Sequence, residues 1–315
     1  MNQSKTIDLY NDRYQKGYME QWPQWKIDRV NQIISELKLP KKGVALDFGC
    51  GNGFWSNVLK NLLPDWEVYG VDISQVALDH AQHRAPSCTF ISDSELKAKG
   101  ISFDLIFSHH VLEHVTHIEG VINEISNMLN KEGYTFHILP CSHPDSFEYK
   151  LCSLMNGGIR NDSSRTYFYE DPAHLRRMTA HEINELFFSN GLKVYKNYFA
   201  RQYYGAIDWL TGKGPNFILF VCKIKNSKNL LCFFKLLMIY LYLTSIAVCR
   251  FMKLPPNPNN KRKKIRKYLY PFAIICYPFS GLVNQYWSSK RDKEWSTKKE
   301  RQNGSEMYVV YKNAQ

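Results

Sequence analysis

The chain of 315 residues lacks the cysteine pairs that mark a metal or disulfide scaffold. Its eight cysteines, at 50, 88, 141, 152, 222, 232, 249 and 276, are scattered, and no two have CxxC spacing. That excludes a structural zinc site of the usual pattern and a disulfide framework. The opening residues, MNQSKTIDLYNDRYQKG, hold no apolar run of the kind that precedes a secretory cleavage site, so a reducing cytoplasmic compartment is expected. There is no internal repeat. Acids are scarce in one place: residues 223–303 hold 18 Lys and Arg against 3 Asp and Glu, while the remainder is slightly acidic. The net charge of +12 therefore belongs to one segment, which attracts phosphate on nucleic acid or on anionic lipid. Apolar material is plentiful. At 44% hydrophobic and 22% charged the chain can bury a core, and its length suggests two domains or one with a large insertion.

Residues 25–38 place Val30, Ile33, Ile34 and Leu37 at helical spacing. Val44–Phe48 is a short apolar run ending in a glycine cluster, the form of a buried parallel strand entering a loop. Helices are expected over 54–63 and 74–84, the second with Ser74 as N-cap. Strands are expected over 67–71, 88–92, 103–108, 134–139 and 192–200, with helices near 118–129 and 180–190, the last closed by Gly191. This alternation predicts a doubly wound α/β sheet with helices on both faces. The final strand could be 217–224 or 307–312.

The strongest motif is Asp47-Phe-Gly49-Cys50-Gly51-Asn52-Gly53. Glycines let a backbone turn sharply and approach a ligand closely. The loop follows a buried strand, opens a helix, and is answered 25 residues after Asp47 by Asp72 at the end of the next strand. A carboxylate there can accept both ribose hydroxyls. Dinucleotides and S-adenosylmethionine both fit such a site. The pattern is GxGxG with an upstream acid, not GxGxxG, and a pyrophosphate wants no carboxylate beside it, whereas the methionine ammonium of S-adenosylmethionine tolerates one; the choice between the two rests on a resemblance.

These residues resemble a known family. VALDFGCGNGFW (44–55) is similar to the first motif of class I S-adenosylmethionine-dependent methyltransferases, and VYGVDIS (68–74) to the second. FDLIFSHHVLEHV (103–115) resembles the fourth-strand motif of the ubiquinone-biosynthesis type and its small-molecule relatives, and LNKEGYTFHILP (129–140) the fifth-strand motif. The resemblance covers 40–200 and the final strand. It implies a Rossmann-like seven-stranded sheet, with the terminal strand closing it. It also implies that Gly49, Cys50, Gly51 and Gly53, with Asp47 and Asn52 in the same loop, surround the methionine part. Asp72 would hold the ribose, Ile73 pack on adenine, Asp93 bind the adenine amino group, and Ser108 and His109 sit beside the sulfonium. Tyr14, in the N-terminal cap, is a further candidate for the cofactor.

Methyl transfer needs positioning above all, and a base only for a weakly acidic hydroxyl. His109 and His110 follow the fourth strand, where substrate should enter, and either could be that base. Glu113-His114, a turn further on, reads as structural. The stretch from Tyr169 to Thr179 resembles a PxHxR segment of bacterial methyltransferases from cell-surface glycan and lipid clusters. There His174 could be the base and Arg176 could clamp an anionic group; the alternative is a salt-bridged helix start. Pro140-Cys141 suggests a cytosine C5 nucleophile only weakly, because it follows the fifth strand. No (D/N/S)PPY run follows the fourth strand, which disfavours nucleic-acid amines, and the missing acids there predict no metal.

Leu230–Val248 is apolar except for Lys235, Thr244 and Ser245; LPPNPNN, KRKKIRK (261–267) and a second apolar stretch broken by Pro271 and Pro278 follow. An interfacial helical hairpin on an anionic membrane is one reading; a lid or homodimer interface is the other, and nucleic acid is disfavoured. The expected division is a helical cap at 1–40, a cofactor-binding core at 41–201, an insertion at 202–305 and a last strand at 306–315. The expected substrate is a small, lipid-linked or glycan hydroxyl compound, methylated in the cytoplasm or at the inner face of the cytoplasmic membrane.

Overall fold

A computed structural model describes residues 3–251 and 263–313, with side chains at 6–250 and 279–313. The KRKKIRK side chains and the prolines of 255–258 lie outside the described residues. Numbered along the chain, the strands are β1 (Val44–Phe48), β2 (Glu67–Val71), β3 (Thr89–Ile91), β4 (Phe103–His109), β5 (Leu129–Pro140), β6 (Leu192–Ala200) and β7 (Glu306–Asn313). The helices are α1 (Gln3–Gln15), α2 (Gln24–Ser35), α3 (Phe54–Leu62), α4 (Gln75–Arg84), α5 (Asp93–Lys99), α6 (Ile118–Asn127), α7 (Phe147–Ser153), α8 (Ala180–Phe188), α9 (Tyr204–Gly212), α10 (Pro215–Val221), α11 (Leu230–Phe251) and α12 (Lys263–Lys298).

The strands form a seven-stranded sheet in the order β3-β2-β1-β4-β5-β7-β6. β1 to β5 pair in parallel. Their apolar runs are buried on both faces: Ala45 and Leu46, Leu105 to Phe107, and Phe136 and Ile138 see almost no water. Such runs suit a sheet covered by helices on each side. Ser74 caps α4 by accepting the Ala77 amide at 3.1 Å, and Gly191 takes a positive φ of 79° after α8, as its place demands. The strand order reverses between β1 and β4, so the crevice outside their carboxyl ends is where a ligand belongs.

The terminal segment, not 217–224, supplies the last strand. Residues 215–221 are helical, with Pro215 in the first turn, where its missing N–H costs nothing. Residues 306–313 enter the sheet between β5 and β6, with Tyr308 to Tyr311 fully buried.

The chain divides differently from the sequence expectation. One compact unit comprises 1–139, 180–197 and 308–315; the other comprises 140–179 and 198–307. The N-terminal cap is thus part of the sheet unit, and 140–179 leaves it for the second unit. The reason is packing. Leu151 and Met155 share one core with Ile207, Leu210, Ile218, Leu236, Leu243 and Trp287. In that unit the Asp208 carboxylate of α9 lies between Arg250 of α11 and Arg291 of α12, at 2.8 and 2.9 Å. Glu294 accepts the amides of Tyr203, Tyr204 and Gly205, capping the start of α9.

Candidate active site

The turn after β1 is built for glycine. Gly49, Gly51 and Gly53 have φ of 73°, 53° and 76°, a region L side chains avoid. Space forbids a side chain as well. A β-carbon on Gly49 would come within 2.5 Å of Val111, and one on Gly51 within 2.6 Å of the Tyr14 hydroxyl. The amides of Gly49 and Cys50 both donate to the Val71 carbonyl, at 2.8 and 2.9 Å. Asp72 completes the turn: Oδ2 accepts the Gly51 amide and Oδ1 the Ser74 amide, each at 2.9 Å. The Ile73 amide also bonds this carboxylate, and the lone pairs left over are the acceptors a ribose hydroxyl needs. Burial raises the Asp72 carboxyl above its usual range, against the lowering effect of the amides. Beside it Ile73 is 46% exposed, an apolar face at the tip of β2 that a flat ring would cover. Turn, carboxylate and apolar face together fit an adenosyl amino acid.

Tyr14, buried on α1, reaches this turn, and Asn11 bonds the Ser74 hydroxyl at 2.6 Å, so α1 is tied over the site. Asn52 donates to the carbonyl of Met19 at 3.3 Å and accepts from Arg84 at 3.0 Å. Two cavities share Tyr14, Tyr18 and Asn52 as walls. The larger, about 380 Å³, lies against His80, His83 and Arg84 of α4. The smaller, about 50 Å³, touches Gly49, Gly51, Trp55, His109 and His110. We place the chemistry at the smaller one, because it holds the glycine turn and the tip of β4. A nucleoside needs more room than that. The segment from Tyr10 to Trp22 supplies much of its wall.

The tip of β4 presents two histidines. His109 is buried, with its ring 4.3 Å from Trp22 and 5.0 Å from Trp55. His110 leaves the strand with φ of 56°, a conformation that non-glycine residues hold only when their surroundings impose it. Its Nδ1 donates to the buried Glu113 carboxylate at 2.7 Å, and its ring stacks on Trp22. Glu113 sits in a turn, not a helix, and is the partner that orients His110. Trp55 Nε1 is buried in the cavity wall with no hydrogen-bond partner among the described residues.

Three expected cofactor residues do not line the smaller cavity. Ser108 alternates to the other face of β4, where its hydroxyl bonds His137 Nδ1 at 2.6 Å; Thr135 holds the opposite nitrogen at 2.5 Å. Burial lowers the His137 pKa to about 3, so the ring stays neutral. Asp93 opens α5 under a capping box of Ser92 and Glu95, which turns its carboxylate outward to Lys97 at 2.7 Å. Asp47 is buried on β1 and accepts the Ser56 hydroxyl of α3 at 2.6 Å; burial raises its pKa to about 7. It braces the turn from below.

His174 and Arg176 belong to the second unit. His174 Nδ1 donates to Glu170 at 2.8 Å. The buried arginine of this segment is Arg177, one position beyond the expected Arg176. It donates to Glu170 at 2.6 Å and to the carbonyls of Cys141 and Ser305 at 2.9 and 2.7 Å, over the ring of Tyr167. Burial raises the Glu170 carboxyl, but Arg177 and His174 outweigh it and hold the group below its usual range. Arg176 is half-buried beside them. Cys141 is buried, and so is Cys152, which burial keeps a thiol.

A family model described as "Methyltransferase domain" matches residues 17–197. Among curated relatives, the chain is 24% identical to a malonyl-acyl-carrier-protein O-methyltransferase of Acetivibrio thermocellus, covering 42% of this chain and 48% of that one. It is 26% identical to a trans-aconitate 2-methyltransferase of Acidovorax sp. strain JS42, covering 45% and 53%. The chain thus matches about half the length of these relatives. Among solved structures, magnesium protoporphyrin IX methyltransferase of Synechocystis PCC 6803 aligns with 64% of this chain and 95% of its own, at 18% identity and a TM-score of 0.48.

Proposed function

From a chain that belongs to the methyltransferase-domain family, we propose transfer of a methyl group from S-adenosylmethionine to a hydroxyl of a small, lipid-linked or glycan substrate. The observation that carries the acceptor is the His110–Glu113 pair. S-adenosylmethionine supplies a methyl group on a sulfonium, open to in-line displacement. The turn from Gly49 to Gly53 would hold its amino-acid part, Asp72 the ribose, and Ile73 the face of the base. Glu113 accepts the Nδ1 proton of His110, so Nε2 is the basic nitrogen. It would take the hydroxyl proton as the methyl carbon passes from sulfur to oxygen, the carbon–sulfur bond breaking to leave S-adenosylhomocysteine, and the neighbouring carboxylate would stabilise the imidazolium. Trp22 and Trp55 line the space and keep water from it.

A carboxylate acceptor is the second reading, favoured by the names of the two relatives, malonyl-acyl-carrier-protein and trans-aconitate methyltransferase. A carboxylate is already nucleophilic and needs no base. Methyl-labelled S-adenosylmethionine, incubated with the protein and either a cell lipid extract or trans-aconitate, separates the two. Label in a lipid product that disappears in His110→Ala supports the hydroxyl reading. Label in trans-aconitate that survives His110→Ala overturns it. Absence of turnover with S-adenosylhomocysteine still bound would make the fold a binding module.

A further inference from the structure

The second unit shows water a face that a soluble helix would hide. On α11, Leu236, Leu243, Ile246 and Ala247 point into the core, at most 8% exposed. On the other side Leu230, Phe234, Met238 and Leu241 follow at helical spacing, 54–71% exposed. α12 adds Phe279 and Leu282, each 63% exposed. Scattered exposed leucines are ordinary; a stripe of large apolar residues along one helix is not.

What surrounds the stripe identifies its partner. Tyr242 of α11 is hydrogen-bonded to Tyr203 and neighbours Tyr286 of α12, and all three are exposed. Lys290 lies 5.3 Å from the Tyr286 ring. Lys225 and Lys228 are exposed at the start of α11, and Lys235 is exposed on it. An apolar stripe, tyrosines beside it and lysines around it follow the order of a bilayer from acyl boundary to headgroup. A second copy would bring the same positive rim and be repelled; anionic headgroups are attracted.

α11 is long and apolar enough to cross a membrane. Its inner flank, however, is committed to a core that also contains the Arg250–Asp208–Arg291 cluster, so lipid cannot surround it. We propose that the second unit docks in plane on an anionic lipid surface, with the outer stripe of α11 sunk into the acyl boundary and Tyr242, Tyr286, Lys225 and Lys228 at the headgroups.

The test is co-sedimentation of the full chain with phosphatidylcholine vesicles containing or lacking phosphatidylglycerol. Binding is expected only with the anionic lipid. The double variant Phe234→Glu with Met238→Glu alters exposed positions only, so its melting temperature should match the parent while vesicle binding falls roughly tenfold or more. A second variant, Lys225→Glu with Lys228→Glu, should weaken binding to anionic vesicles without touching the stripe. Failure of the parent to sediment with vesicles overturns the proposal. So does full binding by both variants, or a concentration-dependent dimer in analytical ultracentrifugation that Phe234→Glu with Met238→Glu abolishes while vesicle binding persists.

Discussion

Asp72 holds the amide of Gly51 at 2.9 Å, so the tip of the second strand pins the turn that leaves the first. One carboxylate therefore shapes the loop and offers its remaining lone pairs to the ligand. Asp72→Ala removes both roles, and S-adenosylhomocysteine affinity measured by calorimetry should fall at least about a hundredfold, because the carboxylate that would accept the ribose hydroxyls is gone. Asp72→Asn keeps an acceptor for Gly51 and should fall less. Unchanged affinity in the alanine variant would remove Asp72 from the ribose.

The His110–Glu113 pair predicts a separation of binding from turnover. His110→Ala should lower kcat by roughly a hundredfold to ten-thousandfold with S-adenosylhomocysteine affinity kept. Glu113→Gln should lower kcat in the same direction, because the imidazole loses the carboxylate that holds its Nδ1. Equal loss of affinity and rate would mark the pair as structural.

Two buried groups oppose each other in pH. His137 has its folded pKa lowered to about 3, so the unfolded chain binds the extra proton and stability is lost as pH falls below about 6.5. Asp47 has its folded pKa raised to about 7, so the folded chain binds the extra proton and stability is lost as pH rises from about 4 to 7. Each contribution is on the order of 3–5 kcal/mol by linkage. In the parent they largely cancel between pH 4 and 6.5. Asp47→Asn should leave a melting temperature that climbs with pH across that window, and His137→Phe one that declines.

Arg177 predicts where the second unit breaks. Arg177→Ala strands Glu170 in the interior and should cost about 3–5 kcal/mol in denaturant unfolding. His174→Ala removes the more exposed of the two partners and should cost about 1 kcal/mol or less. If His174→Ala also abolishes turnover with S-adenosylhomocysteine affinity and fold intact, His174 acts in catalysis and not only as a partner of Glu170.

What the sequence shows and what it hides follow from the range of the interactions. β1, β2 and β4, the glycine turn, Asp72 and the Ser74 cap are local patterns, and each stands where the spacing puts it. Ser108 is misplaced when the end of a strand is read as one position, because neighbouring residues face opposite sides. Asp93 follows β3 as the sequence puts it, but its pairing with Lys97 shows only when the Ser92–Glu95 box is recognised as a helix start. α1 escapes periodicity, since its surface is polar and it is held by contacts such as Asn11 to Ser74. Apolar residues at 217–224 suit strand or helix alike; the Gly214-Pro215 pair is the available cue. Trp22 and Arg177 matter through partners brought close by folding, and no spacing rule reveals them; Glu113 lies only three residues from His110, but its role shows once the turn is formed.

Arg250 on α11 grips Asp208, and Leu236, Leu243, Ile246 and Ala247 of the same helix lie in the core. Turning the outer side of α11 inward would break that ion pair and strip those four side chains from their packing. Greasiness is thereby kept on permanent display, a standing condition of the protein and not one it must first switch on.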